Sequence, residues 1–206
     1  NDNFEKTHLD EEWQTLRVPF TSRMGQVGNG KLILNGQQSL SSLFDVSLVA
    51  SRWQSFKFQA ETELKFDPKY YQQMAGLVNF YNDRHYSWIF VTYDEDKKSR
   101  VIEIAQNDNN DYRSFLRDKS ISIPNNVDFV YFRSTANVQT YRYSYSFDGK
   151  VWHDIPIDLD AAILSDDYVM QHYGGFFTGA MIGLAAVDYS GFNRSAEFNY
   201  FKYLEK

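Results

Sequence analysis

The 206-residue chain contains no cysteine, only four prolines and no apolar run near the length a membrane helix requires, about 18 residues. Without a thiol there can be no disulfide, thiolate nucleophile or thiolate metal site. That absence fits a reducing bacterial cytoplasm, the compartment expected here. The 21 Lys and Arg residues are scattered and outnumbered by 27 acidic ones, for a net charge of −6. A nucleic-acid surface needs clustered positive charge, so neither nucleic acid nor membrane is expected as a partner. The opening NDNFEKTHLDEEWQ lacks an initiator Met, a basic n-region and an apolar h-region. The chain is therefore expected to be a piece of something longer.

Familiar catalytic patterns are missing as well. His8, His85, His153 and His172 have no ligand spacing, and there is neither a G-x-S-x-G elbow nor a phosphate-cradling glycine loop. Asn107-Asp108-Asn109-Asn110-Asp111 resembles the start of a calcium loop. Its sixth position is Tyr112 instead of glycine and its twelfth is Asp118 instead of glutamate, so a hairpin turn is expected. Glu61 and Glu63 share a strand face, but Lys57 and Lys65 lie on that face too, which reads as a solvated strand and not a glycosidase carboxylate pair. Asp94-Glu95-Asp96 runs directly into Lys97-Lys98, another solvated turn. Asn193-Arg194-Ser195 is a formal glycosylation sequon with meaning only in a glycosylating cell. No catalytic residue, cofactor or metal is expected.

What the chain has is β pattern and aromatic mass, with 15 Tyr and 17 Phe. Phe56, Phe58, Ala60, Thr62, Leu64 and Phe66 alternate with Lys57, Gln59, Glu61, Glu63 and Lys65. Tyr141, Tyr143, Tyr145 and Phe147 repeat the alternation. Further strands are predicted at 30–34, 45–51, 74–81, 86–93, 100–105, 127–135, 179–188 and 196–204. Several of these are nearly continuous apolar runs, as in strands from the middle of a sheet. Asp148-Gly149 predicts a type I′ hairpin, and Asn82-Asp83 and Asp94–Lys98 further turns. A helical turn is predicted only near Asp160–Leu164. The fold class expected is all-β, a jelly-roll sandwich of two antiparallel sheets, in a single domain over 1–206. One string resists periodicity: in YGGFFTGAMIGL (173–184), Phe176 and Phe177 would point to opposite faces of a strand.

Six strings occur in order: WQTLRVP (13–19), SLSSLFDVSLVASRWQSF (39–56), QQMAGLVNFYN (72–82), DAAILSDDY (160–168), FFTGAMIGL (176–184) and AEFNYFKY (196–203). Together they resemble the C-terminal concanavalin A-like domain of glycoside hydrolase family 43 β-xylosidases and α-L-arabinofuranosidases, from about Leu9 onward. The resemblance implies a non-catalytic domain that packs on an N-terminal β-propeller of the same chain. The propeller would carry the carboxylates and hydrolyse xylo-oligosaccharides with inversion. It implies that an aromatic loop from the sandwich closes the substrate pocket, assigning substrate contact to Phe177 first, then Phe176, with Thr178 beside them. Family members often form dimers or tetramers, so a homo-oligomeric parent is an expectation of the same kind.

Two departures stand out. SRMGQVGNGKLIL (22–34) replaces an Arg-Pro-Gly turn, and Asn199 stands where the family favours Asp, which argues against a structural metal. The competing reading is a free-standing carbohydrate-binding module or lectin with Tyr70, Tyr71, Tyr86 or Trp88 as a sugar platform. A self-sufficient sandwich glycosidase lacks its carboxylate motif.

Overall fold

A computed structural model describes residues 1–174 and 178–206. Its strands, in chain order, begin with β1 (Gln14–Thr15), β2 (Gly25–Gly28), β3 (Lys31–Asn35), β4 (Ser47–Arg52), β5 (Lys57–Lys65) and β6 (Gln73–Asn82). There follow β7 (His85–Asp94), β8 (Ser99–Asp108), β9 (Asp111–Ser114), β10 (Ile121–Ser122), β11 (Phe129–Asn137) and β12 (Thr140–Ser146). The last four are β13 (His153–Asp154), β14 (Leu159–Asp160), β15 (Met181–Asp188) and β16 (Ser195–Glu205), with one α-helix, α1 (Asp166–Tyr173), ahead of β15.

The strands form two antiparallel sheets, as the alternation predicts. One runs β1-β4-β15-β6-β7-β8-β10 with β9 on β8; the other runs β13-β12-β11-β5-β16-β3-β2 with β14 on β12. The two strands nearest the C-terminus thus lie inside the sheets, β15 between β4 and β6 and β16 between β5 and β3. Main-chain bonds also join Asp2 to Phe201 at 2.8 Å in both directions, so Phe4 and Trp13 are buried against the same strand.

The main core lies between the sheets, where every second residue of β5 and β11 meets Leu77, Ile89, Ile104 and Leu184. Hydroxyls buried in this core satisfy one another, as burial demands. Asn79 Nδ2 donates to Tyr143 Oη at 2.8 Å and to Ser134 Oγ at 3.0 Å, and Ser87 Oγ lies 2.6 Å from Tyr141 Oη. A smaller apolar cluster covers the other face of the first sheet, where Phe80, Tyr86, Trp88 and Phe90 pack beneath Leu40 and Val46 of the 36–46 connection.

Two local expectations are corrected. The type I′ hairpin falls at Asn109-Asn110, both at positive φ (50° and 73°), with Asp108 paired to Asp111. After β12, by contrast, only Gly149 has positive φ (71°), and a longer loop reaches β13, with Tyr145 opposite His153. Asp148 Oδ1 accepts from Lys150 N and Val151 N there, a side-chain-closed turn that needs no second left-handed residue. The helical region is also longer than predicted. A 3₁₀ turn over Ala161–Leu164 is capped by Asp160, and Ser165 Oγ then accepts from Tyr168 N to start α1.

Candidate functional site

The sequence places substrate contact at Phe177, Phe176 and Thr178. Phe176 and Phe177 lie outside the described residues, while Thr178 is described and half-buried. Arg52, the last residue of β4, donates from Nη1 to the Thr178 carbonyl. Gly179 follows at φ 72°, where a Cβ would stand 2.8 Å from the same Arg52 nitrogen. The backbone angle favours glycine here, and a Cβ would also displace the Arg52 guanidinium. Trp53 N then donates to the Ala180 carbonyl at 2.9 Å, and β15 begins at Met181. Residues 178–180 are thereby clamped to the end of β4.

On the other side of the 175–177 stretch, α1 is held by hydroxyls more than by apolar packing, since Val169 is its buried residue. Tyr81 Oη donates to Asp166 Oδ1 at 2.6 Å, and Tyr168 Oη to Asp108 Oδ2 at 2.7 Å. Burial, then the neighbouring carboxylates, raise the pKa of both phenols, Tyr168 the more strongly, so they remain donors. His85 is buried beneath the helix, its ring 5.1 Å from Tyr173 and 6.3 Å from Tyr168. Burial lowers its pKa, with Asp108 opposing. Sequence reasoning missed Tyr81, Asp108, Asp166 and Tyr168. The readable signal was Ser165-Asp166-Asp167, a capping residue followed by acids in the first turn.

Between these anchors opens a groove of about 880 Å³, lined by Arg52, Trp53, Val138, Asp166, Ala180 and, at its lip, Phe56. Phe56 is 74% exposed and Val138 50%, so an apolar edge faces outward beside Thr178. The Trp53 indole N–H is buried without a hydrogen-bond partner among the described residues. Asp160 and Asp166 both line this groove, but each is engaged locally, Asp160 Oδ1 accepting from Ala162 N and Asp166 Oδ1 from Tyr81 Oη, and its apolar edge can accept a partner surface.

Elsewhere, Glu61 is engaged by Arg133 Nη2 at 2.8 Å and by Tyr200 Oη at 3.1 Å, and Glu63 accepts from Asn199 Nδ2. The pair is a cross-strand network, more tied down than a simple solvated face. Among the described residues no group of three or more His, Asp and Glu is placed to hold a metal ion. No described helix is long and apolar enough to cross a membrane. Of the four aromatics named as a sugar platform, Tyr71, Tyr86 and Trp88 line one second groove, and Tyr70 instead stacks on Phe192.

Two layered antiparallel sheets with this strand order define a concanavalin A-like sandwich, a class that hosts enzymes, lectins and accessory domains alike. Residues 1–204 match the family model for the beta xylosidase C-terminal concanavalin A-like domain, and the chain belongs to that family. It is 44% identical over 204 residues to a putative beta-xylosidase of Escherichia coli (strain K12), covering 98% of this chain and 38% of that protein. Identity to the beta-xylosidase of Bacillus subtilis (strain 168) is also 44%, over 207 residues and 38% of that protein. The crystal structure of a xylan beta-1,4-xylosidase from Bacillus halodurans C-125 superposes with a TM-score of 0.92 at 32% identity, covering 99% of this chain and 38% of that one. The chain thus spans little more than a third of the relatives it matches.

Proposed function

We propose that the chain is the non-catalytic C-terminal domain of a family 43 β-xylosidase acting on xylo-oligosaccharides. It packs on a catalytic propeller earlier in the same polypeptide and closes the substrate pocket there with the aromatic stretch ahead of Thr178. Family membership and the 38% coverage support the accessory role. The observation that carries the rest is the anchoring of the Thr178 carbonyl by Arg52 and of the Ala180 carbonyl by Trp53 N, which fixes the outgoing end of the stretch beside a groove with an exposed Phe56 edge. A ring delivered there would exclude water and pack on the C–H face of a sugar, strengthening the polar contacts of the adjoining pocket.

The test is kinetic. In the full-length enzyme, Phe177→Ala and Phe176→Ala, singly and together, are assayed on an aryl xyloside. At least one should lower kcat/KM by about tenfold or more, equivalent to about 1.4 kcal/mol of transition-state stabilisation. Unchanged kinetics in all three variants would remove the pocket role and leave only packing. The 206 residues alone should show no turnover. A second reading, a free-standing carbohydrate-binding module, is favoured by one observation, the aromatic groove on the opposite part of the first sheet.

A further inference from the structure

The outer face of the first sheet is mostly roofed by the 36–46 connection, but part of it stays open. A groove of about 410 Å³ lies there, bounded by that connection, the start of β6, strand β9 and the end of β15. Its volume falls in the range of small-molecule sites, about 300–1,000 Å³. Tyr86 and Trp88 form the floor, each only 3% exposed. Tyr71, Tyr112 and Tyr189 stand around them, 61%, 55% and 52% exposed.

The sheet explains this gathering of rings. Tyr86 pairs with Asn107 across β7 and β8, and Asn107 with Tyr112 across β8 and β9, so all three share one face. The turn at Asn109-Asn110, whose two left-handed residues reverse the chain tightly, is what brings Tyr112 back over that row. Ser41 Oγ lies 2.9 Å from Tyr86 Oη and accepts from Asn107 Nδ2 at 3.0 Å, which fixes the floor hydroxyl. The Tyr112 hydroxyl sits beside the Trp88 N–H without reaching hydrogen-bond geometry. Burial, with the Tyr86 and Tyr189 hydroxyls close by, keeps it protonated.

Charge decides what such a groove can hold. None of the described residues lining it is charged, and five of them are Tyr or Trp. An anion, nucleotide or metal would find no countercharge there. Ring faces interleaved with neutral hydroxyl and amide tips suit a ligand that is itself uncharged, hydroxylated at its edges and apolar on its C–H faces.

We propose that this groove is a second, non-catalytic carbohydrate site that holds a neutral pyranose chain against Tyr112 and Tyr189. It shares no lining residue with the groove beside Thr178. Holding a polymer at one point raises its effective concentration at any other site on the same molecule. The choice of xylan as that polymer rests on the function proposed above; the polyol chemistry does not.

The experiment titrates the 206-residue chain with xylohexaose and, separately, cellohexaose by calorimetry, and repeats both with Tyr112→Ala, Tyr189→Ala and the control Phe56→Ala. Circular dichroism melts check that each variant folds, and Tyr189→Ala serves if Tyr112→Ala does not. Xylohexaose should bind, each tyrosine variant should weaken it about tenfold or more, and Phe56→Ala should not change it. In the full-length enzyme, Tyr112→Ala should leave aryl-xyloside turnover unchanged and reduce retention on insoluble xylan. No heat with either sugar at about 10 mM, or binding indifferent to both tyrosine variants, overturns the site. So does a dimer, measured by light scattering, that Tyr112→Ala dissolves. Binding of cellohexaose alone supports the site and overturns the xylan assignment. Failure of the phenylalanine variants to alter kinetics would sink pocket closure and leave this result untouched.

Discussion

On the outer face of the sheet holding β5, β11 and β16, charged side chains pair across strands. The corresponding face of the other sheet carries Phe80, Tyr86, Trp88 and Phe90 beneath a connecting segment. Glu61 meets Arg133 and Lys202, Lys31 meets Glu197, and the Arg133 guanidinium lies 3.4 Å over the Trp152 ring. Both solutions keep the backbone dry enough to hold its ladder, by different means. The first sheet buries area on both sides, while the second leaves water one side and ties its side chains together.

The comparison can be broken by substitution. Phe80→Ala removes a ring that is 2% exposed and should cost about 3–5 kcal/mol, read as a shift in the urea midpoint. Arg133→Ala, on the charged face, should cost about 1 kcal/mol, and less as salt is added. An equal loss in both variants would erase the distinction. The smallest effect at neutral pH lies at the helix-covered end, where burial pulls the pKa of His85 below its ordinary 6.5. Between its folded and unfolded values the unfolded chain binds the extra proton, so stability rises with pH there. Stability should be full above about pH 6.5 and decline under mild acid, and His85→Phe should flatten that slope in midpoints measured from about pH 7.5 to 5.

The same contrast explains what the sequence made legible. β5 and β11 alternate buried with half-exposed residues along their length, so period-2 reading finds them, the sheet they belong to and their dry face. β6, β7 and β15 are buried on both faces, and a continuous apolar run announces a central strand without saying what covers its far side. The two- to four-residue strands β1, β2, β9, β10, β13 and β14 are too short to carry a period. Helix α1 escaped because Tyr81–Asp166 and Tyr168–Asp108 dock it, pairs 85 and 60 residues apart in sequence. The clamp of Arg52 on Thr178 spans 126 residues, a separation no local pattern reveals. Thr178 itself was reached through the order of the six strings, not through its chemistry.

The interior positions of β15 and β16 also bear on how the chain assembles while it is being made. Until residues 181–205 emerge, β4 and β6 lack the strand that joins them, and so do β3 and β5. Both sheets then exist only as halves, with four open strand edges that other chains could pair with. The pairings that join these halves wait until residues 181–205 have emerged, although β5 and β11 can pair before them; such late non-local closure is a condition under which folding is slow and an incomplete chain exposed to aggregation. A ribosome stalled before Met181 would therefore hold four half-sheets in place of a shorter version of the same sandwich.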